Sequence, residues 1–180
     1  RIPNTAYFNT GGTIYSNNGT IWTKTATYNI NTKIVDVTGN VNIDNGLYRV
    51  EGTKILQNQK SNTADFLGPT TIYNKRKPSN YVYTEKGQYK MNSKEVYLNK
   101  NSRIHYNGKI LTGNTMYYNQ NTGFGKAKGN VTLDDPRESR FIKGGYGEIY
   151  ELKDSAMITE KPYAVKILKN DSIYFSAERI

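Results

Sequence analysis

One spacing, used twice, constrains this chain more than any other feature. Tyr28-Asn29-Ile30-Asn31-Thr32 is followed, eleven residues after Tyr28, by Gly39-Asn40-Val41-Asn42-Ile43-Asp44. Tyr118-Asn119-Gln120-Asn121-Thr122 is followed at the same distance by Gly129-Asn130-Val131-Thr132-Leu133-Asp134. A hairpin with an Asn-rich turn, then a corner at Gly-Asn, explains each copy, because both residues tolerate positive φ. Repetition of one supersecondary unit implies a quasi-one-dimensional stack whose units bury their apolar faces on one another.

Period-two alternation surrounds these turns. Val35, Val37, Val41 and Ile43 fall on one face of a strand pair with Gly39-Asn40 between its members. Tyr48 and Val50, Val96 and Leu98, Ile104 and Tyr106, Ala156 and Ile158, Val165 and Ile167, and Ile173 and Phe175 continue the theme. One face of each strand is therefore apolar and the other solvated. The 16 Tyr and 16 Gly, with abundant Asn and Thr, suit pleated surfaces and the turns between them. The reading is an all-β stack of short strands. The charged loops at 74–80 and 134–140 are insertions between strands, so residues 1–180 read as one continuous, elongated domain.

Net charge is +10, which suits an anionic partner or simple solubility. No Cys is present, so disulfides, Cys-based metal sites and Cys nucleophiles are excluded. No apolar run approaches the roughly 20 residues of a membrane-spanning helix. A start at Arg1 without Met is expected of a processed or trimmed chain.

Catalytic chemistry finds little support. His105, the one histidine, reads as a solvent-facing strand residue between Ile104 and Tyr106. Asp134-Asp135 before Pro136 reads as a turn, with too few carboxylates for a calcium loop. Gly144-Gly145-Tyr146-Gly147, followed by Ala164-Val165-Lys166, looks like the glycine-rich loop and strand lysine of a protein kinase. Ile142 stands where the first glycine belongs, and the 14 residues after Lys166 hold neither a catalytic loop nor a magnesium-binding motif. These glycines read as a tight corner between strands. No enzyme activity, cofactor or metal is expected.

Several segments together resemble the OstA/LptA-like lipopolysaccharide-transport family. They are Thr38 to Val41 and Gly129 to Val131, then Ile142 to Glu148, Asp154 to Thr159, and Asn170 to Ala177. The likeness spans roughly Gly12 to Ala177, and its Asn-, Lys- and Tyr-rich style is similar to the branch found in Bacteroidetes-type bacteria. The resemblance implies an open, twisted antiparallel β-jelly roll of about sixteen short strands, folded like a taco around acyl chains. It also implies a periplasmic scaffold, associated with the outer membrane or free of it. Such a scaffold shields the lipid A acyl chains of lipopolysaccharide and passes the lipid toward the outer membrane. Its expected partners are lipopolysaccharide and other transport proteins, or further copies of itself, joined by edge-strand pairing; nucleic acid is not among them.

Energetics agree with such a role. Each buried acyl CH₂ contributes about 0.8 kcal/mol, so a twelve-carbon chain contributes roughly 8–10 kcal/mol before ordering costs. An exposed lysine on a phosphate contributes about 0–1 kcal/mol. Burial would dominate affinity while charge steers. The candidate contacts are Val35, Val37, Val41, Ile43, Val50 and Ile104 in the first part of the chain. Met116, Val131, Leu133, Ile149, Ile158 and Ile167 are those of the second. A one-residue slip of register would exchange the two faces. The alternative is a carbohydrate-binding or adhesin-like β-repeat protein, in which exposed tyrosine ladders serve as sugar platforms. Tyrosines buried at strand ends would speak against it.

Overall fold

The computed structural model describes residues 3–16 and 19–180. The strands are β1 (Thr5–Phe8), β2 (Gly12–Ser16), β3 (Gly19–Thr23), β4 (Thr25–Asn29), β5 (Ile34–Asp44), β6 (Tyr48–Asn58) and β7 (Thr63–Phe66). Next come β8 (Thr70–Asn74), β9 (Tyr81–Thr84), β10 (Lys86–Lys90), β11 (Glu95–Lys100), β12 (Arg103–Tyr106) and β13 (Lys109–Thr112). The last six are β14 (Thr115–Asn119), β15 (Phe124–Asp135), β16 (Arg140–Tyr150), β17 (Ser155–Thr159), β18 (Tyr163–Ile167) and β19 (Ser172–Ser176). Two short 3-10 turns, Pro136–Glu138 and Glu151–Lys153, interrupt them, and no α-helix occurs among the described residues.

All pairings are antiparallel and follow one rule: each pass of the chain lies beside the next in two sheets at once. The first sheet runs β1, β4, β5, β6, β7, β10, β11, β14, β15, β16, β17. The second runs β2, β3, β5, β6, β8, β9, β12, β13, β15, β16, β18, β19. β5, β6, β15 and β16 belong to both, bending from one sheet into the other. Elsewhere the bend breaks the strand, as between β3 and β4 at Lys24 or between β13 and β14 at Gly113-Asn114. The bends line up as a spine and the turns face them across an open mouth, which is the taco-like jelly roll. Nineteen strands appear where about sixteen were implied, because a broken pass counts twice.

The repeated motifs build this shape. Asn29 Oδ1 accepts hydrogen bonds from the N–H groups of Asn31 and Thr32 at 3.1 and 2.9 Å. Asn119 does the same for Asn121 and Thr122 at 2.9 and 3.2 Å. These Asx turns close the hairpins at the mouth. At the spine, Gly39 and Asn40 have φ of 77° and 49°, and Gly129 and Asn130 have 74° and 50°. A bulge falls there in both β5 and β15, so each is one bent strand rather than the pair of strands read from the sequence. Two successive left-handed residues turn the strand through the corner while Val37 and Val41 both keep facing inward. In β16 the corner lies at Gly144-Gly145, between its pairings with β18 and β17.

One apolar cluster fills the space between the sheets along the whole stack, from Ile21 and Ala26 to Ile149 and Ile158. Contacts cross it directly: a Cβ added to Gly125 on the first sheet would lie 3.3 Å from Cδ1 of Ile104 on the second. Alternation thus becomes a closed core by folding one long striped ribbon onto itself.

Candidate functional site

Ten of the twelve candidate residues lie in this cluster and are buried: Val35, Val37, Val41, Val50, Ile104, Met116, Val131, Leu133, Ile149 and Ile158. Ile43 is half-buried, packs against the cluster and lines an open cavity. Ile167 shares the inward parity of Val165 but is 50% exposed at the end of β18, outside the cluster. What differs along the interior is how the mouth above it is closed, and three sections can be distinguished.

In the first section the mouth stands open. A cavity of about 540 Å³ lies between Ile21, Ile43 and Val50 on the second sheet and Ala64, Phe66, Tyr89 and Met91 on the first. Gln57 and Lys94 add polar groups on the first-sheet side, and Gly19, Thr20, Trp22, Asp44, Asn45 and Gly46 complete the lining. Its volume falls in the roughly 300–1,000 Å³ range of ligand pockets. At its lip Lys75 Nζ lies 2.7 Å from Asp44 Oδ2, and this hydrogen bond, with that from the Gly46 N–H, holds the Asp44 carboxyl below the usual range.

In the middle section hydrogen bonds clasp the two lips. Asn80 Nδ2 donates to Glu151 Oε1 at 2.8 Å, and Tyr106 OH donates to the Glu151 carbonyl at 2.7 Å, both from one sheet to the other. Tyr118 OH donates to Glu151 Oε2 at 2.6 Å, and Tyr89 OH donates to Gln120 Oε1 at 2.9 Å. Tyr48 OH reaches the Gln120 carbonyl at 3.4 Å from the opposite sheet. Burial, reinforced by nearby acidic or phenolic groups, pushes the Tyr89 and Tyr106 hydroxyls up to about 12. Burial raises Tyr118 as well, helped by its bond to Glu151, so all three remain donors across the neutral range.

In the last section charged side chains flank the mouth. Lys109 Nζ lies 3.6 Å from Asp154 Oδ1 across it, and Arg140 Nη2 lies 3.1 Å from Asp135 Oδ2 along one lip. A cavity of about 220 Å³ opens beneath, with Leu133, Ile142 and Ala156 in its lining.

The outer faces are different. Tyr97, Tyr117, Phe124 and Tyr150 form a ladder across the first sheet, with ring centroids 5.3, 6.3 and 5.3 Å apart. Lys90, Lys126 and Lys153 sit over the rings of Tyr97, Tyr117 and Tyr150 at 4.7, 5.2 and 5.7 Å. Tyr117 OH donates to Glu95. These rings are half-buried and engaged with their neighbours. His105 points outward as alternation requires, yet it is not solvent-facing: its ring stacks on Tyr81 at 4.0 Å and 14°. Burial, then Arg103, lowers its pKa.

Sequence reasoning missed the cavity wall formed by Phe66, Tyr89 and Met91, and it missed the clasp. The strand-end positions of Tyr89, Tyr106 and Tyr118 were the available signal.

A family model described as LptA/(LptD N-terminal domain) LPS transport protein matches residues 20–124, from β3 to the first residue of β15. Among curated proteins none matches the chain.

Proposed function

Since the chain belongs to the LptA/LptD N-terminal domain family of lipopolysaccharide transport proteins, we propose that it binds lipopolysaccharide by its acyl chains in the interior between the sheets and hands it on without covalent chemistry. The observation that carries this is the 540 Å³ opening, which has apolar side chains on both walls beside its polar groups and is continuous with the core. A chain laid there buries methylenes at about 0.8 kcal/mol each, far more than a headgroup gains from an exposed lysine. The surrounding positive charge then orients the phosphorylated headgroup at the mouth.

A scaffold of this kind works between membranes, in the periplasm. Strand addition at the ends of the stack would extend the groove into a partner or a second copy. β2 and β19 end the second sheet, with Tyr15 exposed near one end and Ile173, Tyr174 and Phe175 at the other.

Competition binding tests the proposal, with Trp22 beside the cavity as the fluorescent reporter. Intact lipopolysaccharide, its de-acylated saccharide and an anionic polymer compete at low and high salt. Binding of the intact lipid alone, undiminished by salt, is the expected result. Equal binding of the bare saccharide would overturn the groove reading in favour of a glycan-binding repeat. Binding only of the polymer, lost in salt, would leave a basic surface and no groove.

A further inference from the structure

The proposed transport role uses the mouth and the interior, and it leaves the outer side of the spine unused. An open groove of about 660 Å³ runs there along the stack axis. It crosses four successive corners, at Glu85, Asn101-Ser102, Gly113-Asn114 and Asn130, and so covers three strand spacings, about 14 Å. Its floor is polar and fixed. Ser102 is buried, with its hydroxyl 2.8 Å from that of buried Thr84 and 3.1 Å from the Lys100 carbonyl oxygen. Beyond the ring of Tyr83, the sides carry amide, hydroxyl and charged groups, so an acyl chain would bury little apolar surface there.

The charges in the groove do not cancel. Lys100 Nζ lies 3.1 Å from Glu85 Oε2, and hydrogen bonds from Asn101 and Lys100 hold the Glu85 carboxyl below its usual range. Arg103 is left over. Its guanidinium lies over the Tyr83 ring at 4.3 Å, and it has no carboxylate partner among the described residues. Stacking orients a guanidinium and leaves its N–H edge free to grip a carboxylate with two parallel hydrogen bonds. A metal ion is disfavoured, because the one carboxylate in the groove is already engaged. A peptide strand is disfavoured too, because β11 and β12 are paired on both sides and offer no free edge. The asparagines favour hydroxyls: Asn99, Asn101, Asn114 and Asn130 are exposed along the groove, and a planar amide both donates and accepts. Asn130 Nδ2 donates to Asn114 Oδ1 at 3.3 Å, which aligns that pair in advance.

We propose that this groove binds an acidic oligosaccharide, an extended sugar chain that bears a carboxylate. Arg103 takes the carboxylate, Asn99, Asn114 and Asn130 take ring hydroxyls, and the sugar chain lies along the stack across the corners. The spine faces away from the mouth. The sugar therefore belongs to a second molecule, not to the lipid whose acyl chains occupy the interior. The scaffold would be held on a carboxylated glycan by its back while its mouth stays free for lipid.

Calorimetry on the full chain at neutral pH tests this with three probes: trigalacturonate, neutral chitotriose and citrate. Trigalacturonate should bind about tenfold or more tighter than either of the others, as for a charge-assisted pair added to the hydroxyl contacts. Arg103→Ala should bring trigalacturonate down to the level of chitotriose, and Arg103→Lys, which keeps the charge without the fork, should recover only part of the loss. Asn114→Ala should weaken both trisaccharides alike, by about three- to tenfold. Citrate binding as tightly as trigalacturonate would overturn the site in favour of a plain basic surface. Equal affinities for the two trisaccharides would overturn the role of Arg103 and with it the acidic preference, and no binding by any probe would overturn the proposal outright. Trp22 lies at the mouth, so trigalacturonate should leave its fluorescence unchanged, and saturating lipopolysaccharide should leave the trigalacturonate affinity unchanged. Displacement of one by the other would overturn the placement at the spine while leaving the acyl-chain groove standing. The comparison of probes needs no variant, so poor folding of a variant does not blunt the test.

Discussion

Replacing Glu151 by Ala removes the acceptor at the centre of the clasp. Asn80 Nδ2 and Tyr118 OH, at 2.8 and 2.6 Å from its two carboxylate oxygens, both lose their partner. Both residues are buried, so water does not take its place freely. A stranded buried donor costs about 1–3 kcal/mol, so the pair together should cost about 2–6 kcal/mol. Glu151→Gln keeps a carbonyl for Asn80 but puts an amide N–H where the Tyr118 hydroxyl needs an acceptor, and should cost about 1–3 kcal/mol. Urea unfolding followed by circular dichroism measures this as a lower midpoint at unchanged slope. The sharper result is a change of sign. Tyr118→Phe should destabilise the native chain by about 1 kcal/mol, yet be neutral or stabilising when Glu151 is already Ala, because it then deletes an orphaned hydroxyl. A cost for Tyr118→Phe that is the same in both backgrounds, or a loss under about 0.5 kcal/mol for Glu151→Ala, would refute the clasp as a stabilising contact.

Four further expectations follow from the same interior. Val37→Asp and Ile158→Asp put a charge into the closed core and should lower stability by about 3 kcal/mol or more, seen as a lower thermal midpoint. Ile43→Asp lies on the wall of the open cavity at a half-buried position, so it should lower the thermal midpoint less than the two core variants and weaken lipid binding about tenfold, roughly the transfer of two methylenes. Stability should fall as pH rises from 10 toward 12: unfolded tyrosines ionise near 10, while Tyr89 and Tyr106 stay neutral in the fold up to about 12. Their contribution is therefore complete below 10 and lost through 12, and a flat urea midpoint over that range would contradict it. Gly144→Val at the β16 corner would place a Cβ 2.5 Å from the Thr159 carbonyl oxygen and 2.6 Å from Ile158 Cγ2, and should cost about 1–3 kcal/mol by denaturation.

The three sections of the mouth differ in how they are closed along its length. An open apolar entrance, a hydrogen-bonded clasp and a charged recess follow one another above a single continuous core. Under the proposed transport role, the clasp is the segment that must part for a lipid to move along the stack. Its bonds are neutral or singly charged and individually modest, so it opens more readily than the core beneath it.

Much of this architecture is local and therefore readable from the chain alone. Asn29 and Asn119 close their turns on residues two and three positions away, and Gly39-Asn40 and Gly129-Asn130 bend their own strands. Alternation about those points assigns Val35, Val37, Val131 and Leu133 to one face, because side chains on a strand repeat every second residue. The twofold recurrence of the motif then implies stacking. Tertiary structure decided the rest. Asn80 and Glu151 stand 71 residues apart, and Tyr48 and Gln120 stand 72 apart. No spacing announces that the stack brings them to facing lips. The same folding chose which inward residues are sealed and which border open space: Val37 and Ile43 share a strand face, yet one is core and the other cavity wall. Face is a property of the strand, set by backbone geometry. Access is a property of the distance between two sheets, set by side chains that meet only when the ribbon has closed.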